Sequence, residues 1–342
     1  MSQKISVVIP VRNEEKYIES TISMILNQDY PENMVEVLVT DGESDDRTTE
    51  IVKDLASKDS RVKLFNNPGR LSSAGRNVGI KNATGDIITF IDGHTYIDNN
   101  QLLKNISQLM EKENLSILSR PQFMDTPHNN FFQKAVSTAR TSLIGHGLDS
   151  TIYNRNDLKV NPTSSGASYK REVFDKIGLY DERFDACEDV ELNFRANKSA
   201  YDSFTSMKLA VFYYPRANIK DLFRQMKRYG MGRLRLARKH PETLSIGTLL
   251  PFFLTLGLPL IAILSLVVNI LYYPLFFLTG FYLLFVCGWS LVISFKKNIK
   301  YLFVLPFIYF SIHFGLGWGF MVELIRTIFG KSVKFNGKSK RN

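Results

Sequence analysis

Residues 90–98 read FIDGHTYID: an apolar strand runs into Asp92, and His94 stands two positions on, where a second carboxylate would complete an Asp-x-Asp cation site. A carboxylate and an imidazole at that spacing can hold one divalent cation. Mg2+ prefers oxygen ligands and imidazole suits Mn2+, so the pair leans the site toward Mn2+ without excluding Mg2+. The alternative is an exposed loop histidine beside a turn-forming aspartate. A second acidic group lies in FDACEDVEL. There Asp189 opens a predicted helix, whose macrodipole keeps a carboxylate ionised, and the alternative is an ordinary first-turn acid. Glu188 follows Asp185 at capping-box spacing, so it can instead serve the amides of the first turn.

What must position these groups is a run of short β-branched segments alternating with amphipathic ones. KISVVIP (4–10), VEVLVTD (35–41), RVKLFNN (61–67) and DIITFID (86–92) are predicted strands. EEKYIESTISMILNQ (14–28), SDDRTTEIVKDLAS and SSAGRNVGIKNAT are predicted helices. The alternation specifies a parallel α/β sheet of the nucleotide-binding kind, whose ligands sit beyond the carboxyl ends of the strands. Those ends deliver Pro10, Arg12, Asn13 and Glu14, then Asp41, Gly42 and Glu43, then Asn67, Gly69 and Arg70, then Asp92 and His94. The plain alternative is that strand ends are usually polar and that Ser44, Asp45 and Asp46 cap a helix. Beyond residue 115 the pattern loosens. SILSR, SSGASYKR and KLAVFYY are predicted strands, FFQKAVSTARTSLI and CEDVELNFRANKS helices, and HGLDSTIYNRNDLKVNP a long polar loop, giving a first domain at 1–215.

The net charge of +10 is unevenly spread. Residues 1–215 hold 25 Lys+Arg against 30 Asp+Glu, whereas 216–342 hold 18 against 3. The basicity therefore lies beside apolar segments, where anionic lipid attracts it, and nucleic acid is not an expected partner. From 243 to 295 there is no charged residue, room for spans at about 245–268 and 271–295. A third uncharged stretch covers 301–322, within a membrane region of 245–330, preceded by a basic interfacial segment (216–244) and followed by a basic tail (331–342). The start MSQKISVVIP is too short and strand-like for a signal peptide, so the first domain is expected in the cytoplasm of a multi-pass membrane protein. Two crossings return KKNIK to that side, obeying the positive-inside rule. A third would expose the five cations of the tail, so 301–322 is predicted to be a re-entrant or interfacial hairpin broken at GLGWG, or else the rule is broken. Cys187 and Cys287 form no disulfide framework or zinc spacing. The absence of G-x-G-x-x-G after a strand and of G-x-x-x-x-G-K-[ST] removes support for a dehydrogenase or P-loop ATPase.

VVIPVRNEEKYIESTI, VTDGESDDRT, NPGRLSSAGRNVGI, a strand ending IDGH, and CEDVEL, in that order, resemble the family 2 glycosyltransferases. The resemblance covers residues 4–230. The Asp-x-His form and the apolar tail are most similar to membrane-anchored transferases of succinoglycan-type exopolysaccharide. It implies an α/β GT-A domain with a mostly parallel sheet followed by an α-helical membrane region. It also implies inverting transfer of one sugar from a nucleotide-sugar donor, expected to be UDP-linked, to a polyprenyl-linked glycan, with Mn2+ or Mg2+. Asp41 would accept a hydrogen bond from the base, and Pro10, Asn13 and Glu14 would shape the turn beside the nucleoside, with Glu14 on ribose or base. Arg70, Gly75, Arg76 and Asn77 would run along the nucleotide, the glycine permitting close approach; a surface ion pair is the alternative for Arg76. Asp92 and His94 would hold the cation on the diphosphate, and Asp189, beside Glu188, would be the base. Gln225, Arg228 and Tyr229 match the Gln-x-x-Arg-Trp segment with Tyr in the Trp position, Arg228 on the diphosphate and Tyr229 stacking on the acceptor. Tyr at that position and few spans argue for single-sugar transfer rather than polymer synthesis. A polyprenyl-phosphate sugar synthase and a non-catalytic nucleotide-sugar-binding scaffold are the rivals.

Overall fold

Near-continuous apolar runs are what a parallel sheet covered on both faces demands, and the first strands have that character. In the computed structural model, which describes residues 3–146 and 152–335, the chain opens as β1 (Ile5–Val11), α1 (Ile18–Leu26), β2 (Val35–Asp41), α2 (Thr48–Lys58), β3 (Val62–Asn66), α3 (Ser72–Asn82) and β4 (Ile87–Phe90). Every residue of β2 is buried, and β1 is buried at all but Pro10. The period of two sorts β1 between two cores. Ile5, Val7 and Ile9 pack with Ile18, Ile22 and Val52 on one face, and Val8 joins Leu38, Ile80 and Ile88 on the other.

The chain continues through β5 (Thr95–Tyr96), α4 (Leu102–Lys112), β6 (Ile117–Ser119), β7 (Gln122–Phe123), α5 (Phe131–Arg140), β8 (Leu158–Val160), β9 (Gly166–Lys170), α6 (Arg171–Ile177), α7 (Glu188–Lys198), β10 (Ser203–Thr205) and β11 (Val211–Tyr213). One sheet has the order β3-β2-β1-β4-β9-β6-β10-β8, parallel over its first four strands and antiparallel where β9 meets β4 and β6. A small second sheet has the order β5-β11-β7. Residues 147–151, inside the expected polar loop, and 336–342, in the basic tail, lie outside the described residues.

Two compact units result, one of residues 1–127 and 150–214, the other of 128–149 and 215–342. The division therefore differs from a single cut at 215. The FFQKAVSTAR helix, α5, joins the second unit because Ala135, Val136 and Ala139 pack with Leu222, Met226, Leu305, Ile308 and Tyr309. That unit contains α8 (Ile219–Lys239), α9 (Ile246–Ser265), α10 (Tyr272–Lys296) and α11 (Leu305–Ile328). Helices α9, α10 and α11 are long and apolar enough to cross a membrane.

The expected hairpin at 301–322 is not formed, since α11 runs unbroken through GLGWG. Its glycines serve close packing instead. A Cβ on Gly315 would lie 2.7 Å from Cβ of Met226, one on Gly319 would strike the Lys227 carbonyl, and one on Gly317 would strike Pro251 and Thr255 of α9. Further along, Arg235 of α8 and Glu323 of α11 form a buried bidentate pair, Nε to Oε1 at 2.9 Å and Nη2 to Oε2 at 3.0 Å.

Candidate active site

Parallel register sets Val11 against Asp41 and Asp41 against Asn66, while Val8 lies against Phe90, two residues before Asp92. The carboxyl ends of four adjacent strands thus form one edge about 15 Å long. Backbone strain collects there. Asn13, Glu43, Arg70 and Cys187 have φ of 60°, 56°, 59° and 62°. Each left-handed non-glycine residue costs roughly 1–3 kcal/mol and persists only where its surroundings enforce it, a pattern associated with functional sites.

Arg76 joins the acidic groups. From α3 its Nη1 donates to Glu188 Oε1 at 2.5 Å and its Nη2 to Asp92 Oδ1 at 3.2 Å, with Phe90 and Tyr180 rings 5.8 and 5.5 Å from the guanidinium carbon. The surface ion pair considered for Arg76 is excluded, because the residue is buried. Burial works against its charge, but Glu188, Asp92 and Asp189 together hold its pKa well above the usual value. Burial raises the pKa of Glu188, and Asp189 and Asp92 add to that rise against the lowering by Arg76. One guanidinium thus faces three carboxylates, leaving the site short of positive charge. The capping box is not made: Cys187 is the N-cap of α7, with no side-chain capping bond, and the Glu188 carboxylate is on Arg76.

Asp41 is buried and accepts from Ser44, Oγ at 2.5 Å and N at 3.1 Å. Asn13 closes the same loop, its amide N donating to Ser44 Oγ at 2.9 Å and its Oδ1 accepting from Asp45 N at 3.0 Å. The expected helix at 14–28 starts only at Ile18. The freed turn, with Glu14 N donating to Thr48 Oγ1 at 2.7 Å, aims Glu14 at the end of β4. There Glu14 Oε1 lies 2.8 Å from Nδ1 of His94. With Nδ1 on Glu14, a metal bond from His94 would fall to Nε2, the carboxylate–histidine arrangement that fixes tautomer and ring orientation at metal sites.

Two residues expected along the nucleotide are otherwise committed. The Asn77 amide donates to Tyr180 O at 2.9 Å and Glu182 Oε1 at 2.8 Å and accepts from Tyr180 N at 2.9 Å, so it holds the loop before α7. The close approach at Gly75 is to the chain's own strand ends, where a Cβ would lie 2.8 Å from Thr40 Oγ1 and 3.2 Å from Pro10 Cβ. Arg70 is at the rim, paired with Glu43. Gln225, Arg228 and Tyr229 belong to α8 in the second unit. There Gln225 Nε2 is 3.4 Å from the Tyr229 hydroxyl, Arg140 lies over the Tyr229 ring at 5.8 Å, and Arg228 is exposed.

Sequence reasoning missed Arg120. Fully buried, it donates from Nη1 to Phe90 O at 2.7 Å and from Nη2 to Thr89 Oγ1 at 2.6 Å, fixing the strand that delivers Asp92. Its only signal was a cation closing the apolar segment SILSR. Several buried polar atoms without hydrogen-bond partners lie along this edge, Thr40 Oγ1, Asn67 Oδ1 and Arg76 Nε among them. Unsatisfied buried groups call for an explanation, and a polar ligand is one. A cavity of about 690 Å3 between Leu26, Asp29, Glu32 and Lys104 contains none of these residues.

A parallel sheet of this order, with an antiparallel β9 and acids at the start of α7, defines a GT-A fold. The mannosyltransferase PcManGT from Pyrobaculum calidifontis, solved with GDP-Man and Mn2+, aligns with 97% of this chain and 89% of its own at a TM-score of 0.58 and 15% identity. The chain belongs to glycosyl transferase family 2, whose sequence profile matches residues 6–178, and it is a glycosyltransferase. It is 32% identical over 249 residues to the succinoglycan biosynthesis protein ExoA of Rhizobium meliloti, covering 72% of this chain and 73% of that one. It is 27% identical over 326 residues, 94% of this chain and 97% of the relative, to the dolichyl N-acetyl-alpha-D-glucosaminyl phosphate 3-beta-D-2,3-diacetamido-2,3-dideoxy-beta-D-glucuronosyltransferase of Methanococcus voltae.

Proposed function

We propose that this glycosyltransferase moves a single sugar, with inversion, from a UDP-sugar to a glycan carried on a polyprenyl lipid, its catalytic unit on the cytoplasmic face of a cell membrane. The observation that carries this reading is the placement of Arg76 between Asp92 and Glu188, with Asp189 alongside. The Methanococcus voltae relative, named for a sugar-bearing dolichyl phosphate, supports a lipid-linked acceptor that already holds a sugar.

Asp41, Pro10 and Asn13 form the nucleoside end of the site, and Arg70 and Arg76 flank the diphosphate. Asp189 removes the acceptor hydroxyl proton as the oxygen attacks the anomeric carbon and the bond to the nucleoside diphosphate breaks on the opposite face. Glu188 keeps Arg76 in place. Arg228 is assigned to the diphosphate and Gln225 and Tyr229 to the acceptor. The donor set at the strand end fits a cation shared with the substrate. Among the described residues no three acids, histidines or cysteines could hold a metal by themselves. Asp92 and His94 would supply two ligands, leaving the rest to the substrate. A bound Mn2+ or Mg2+ would offset the charge that grows on the leaving diphosphate.

A donor screen on membranes, with and without chelator, read by mass spectrometry of the lipid fraction, tests the proposal. The expected product is the acceptor lipid extended by one sugar, formed only with the cation. A sugar attached directly to polyprenyl phosphate would instead identify a synthase. Tight donor binding without turnover across a broad acceptor panel would identify a scaffold.

A further inference from the structure

Three helices have the length and apolarity of membrane spans, but their environments within the second unit differ. Over the most apolar window, α9 is 6% buried by protein and the α10 segment 11%, whereas α11 is 50% buried. The first two offer apolar surface all round, as a helix in hydrocarbon does. What covers α11 most extensively is α8, the most basic helix of the chain, with the first turns of α9 packed on Gly317 and Phe320.

The pairing is extended and in register. Gly315 of α11 abuts Phe223 and Met226, Gly319 abuts Lys227, Gly230 of α8 abuts Leu316 and Phe320, and Arg235 pairs with Glu323. The two helices run side by side in the same direction, and their midpoints coincide. Were α11 to cross a bilayer, its midpoint would lie at the centre and would carry Gly230 there. Lys227, Arg228 and Arg233 are within one turn of Gly230, the last two exposed. A Lys or Arg at that depth is strongly disfavoured, and three together would oppose insertion. At the headgroup plane the sign reverses, because anionic lipid attracts each cation.

The seam between the helices has the chemistry of that plane. A groove of about 500 Å3 is walled by Phe223, Phe307, Phe310 and Trp318 and bordered by Lys220, Arg224 and Lys227, with Asp221 balancing Arg224 at 3.1 Å. Aromatics against the acyl boundary with cations reaching phosphates is how an interfacial helix sits.

We infer that α11 does not cross the membrane, and that α8 and α11 together form a platform lying in the headgroup plane of an anionic bilayer. Only α9 and α10 span. An even number of crossings then returns Lys296, Lys297, Lys300 and the tail after α11 to the face from which α9 departed. The positive-inside conflict posed by a third span disappears.

Spin labels placed one at a time on the full chain in liposomes, with Cys187→Ser and Cys287→Ser as background, test this. Labels at the exposed positions Phe307, Phe310, Trp318 and Ile325 are expected at a common shallow depth, agreeing within about one helical pitch of 5 Å. Controls at Phe277, Leu284 and Phe295 of α10 should pass through a depth maximum at Leu284. A maximum near Trp318, within a total travel of about 27 Å, would overturn the proposal. Impermeant maleimide labelling in intact cells gives an independent outcome. Lys331→Cys should share its sidedness with Lys53→Cys and oppose Ile270→Cys in the α9–α10 turn, and agreement of Lys331→Cys with Ile270→Cys would refute it.

Discussion

Each unit buries an arginine against a glutamate, and the two pairs behave differently. Arg235 and Glu323 meet in bidentate geometry, with Arg238 at 3.7 Å and a Ser332 hydroxyl also on the carboxylate, and they fasten α8 to α11. Arg76 and Glu188 meet through one oxygen, and the guanidinium also serves Asp92 under the field of Asp189. The first pair leaves no negative charge uncompensated. The second leaves negative charge uncompensated at the edge of a sheet. A buried pair that cancels fastens elements, and one that does not marks a place where something charged is to bind.

The largest effect should come from Asp189, whose Oδ1 also accepts from Val190 N at 2.8 Å in the first turn of α7. Asp189→Ala is expected to lower the transfer rate about 10²–10⁴-fold with unfolding unchanged, measured by lipid-product formation and thermal melting. The pairs themselves come next. Arg235→Met or Glu323→Leu alone should destabilise by about 3–5 kcal/mol, because each leaves a lone buried charge, while the double replacement should return close to wild type. For Arg76→Met with Glu188→Met, stability should be regained in part but activity should not be. Denaturant unfolding paired with transfer assays separates the cases, and an active Arg76/Glu188 double variant would erase the distinction between the pairs.

The far end of the same sheet supplies a contrast in pH. Glu36 is buried by its strand, which works against its charge. Hydrogen bonds from Ser6, Thr84 and Lys63 nevertheless bring its pKa down from 4.5 to about 2. A lowered folded pKa contributes stability that is complete above the unfolded value and is lost as pH falls through the folded one. About 3 kcal/mol should therefore vanish between pH 4.5 and 2, and Glu36→Gln should flatten that part of the stability curve. The smallest effect concerns Glu14. If it fixes the His94 tautomer, Glu14→Gln should weaken Mn2+ binding about 10–100-fold in the presence of UDP, read by electron paramagnetic resonance, with the fold intact. His94→Asp should keep activity and shift preference toward Mg2+.

The sequence carries Asp41 and Asp92 openly, because β-branched runs end where polar groups begin and parallel strands must present those ends together, and it carries Asp189 through the CEDVEL resemblance. It carries less of what lies between them. Glu14 and His94 are 80 residues apart, and nothing in either segment announces that the helix after β1 begins late enough to join them. Asn77 and Gly75 have the types expected of a nucleotide loop, yet the amide secures Tyr180 and Glu182 and the glycine makes room for Thr40. α5 and GLGWG were misplaced for a common reason. Their partners on α8 lie more than 80 residues away in the chain, and local composition does not encode which helix a glycine faces.

The most direct test of the central claim is a paired measurement on Asp189→Asn: donor binding in Mn2+ by calorimetry, and sugar transfer to the lipid fraction by mass spectrometry. The account predicts donor affinity within a few-fold of wild type and transfer all but abolished. Transfer at the wild-type rate, with or without chelator, would contradict it.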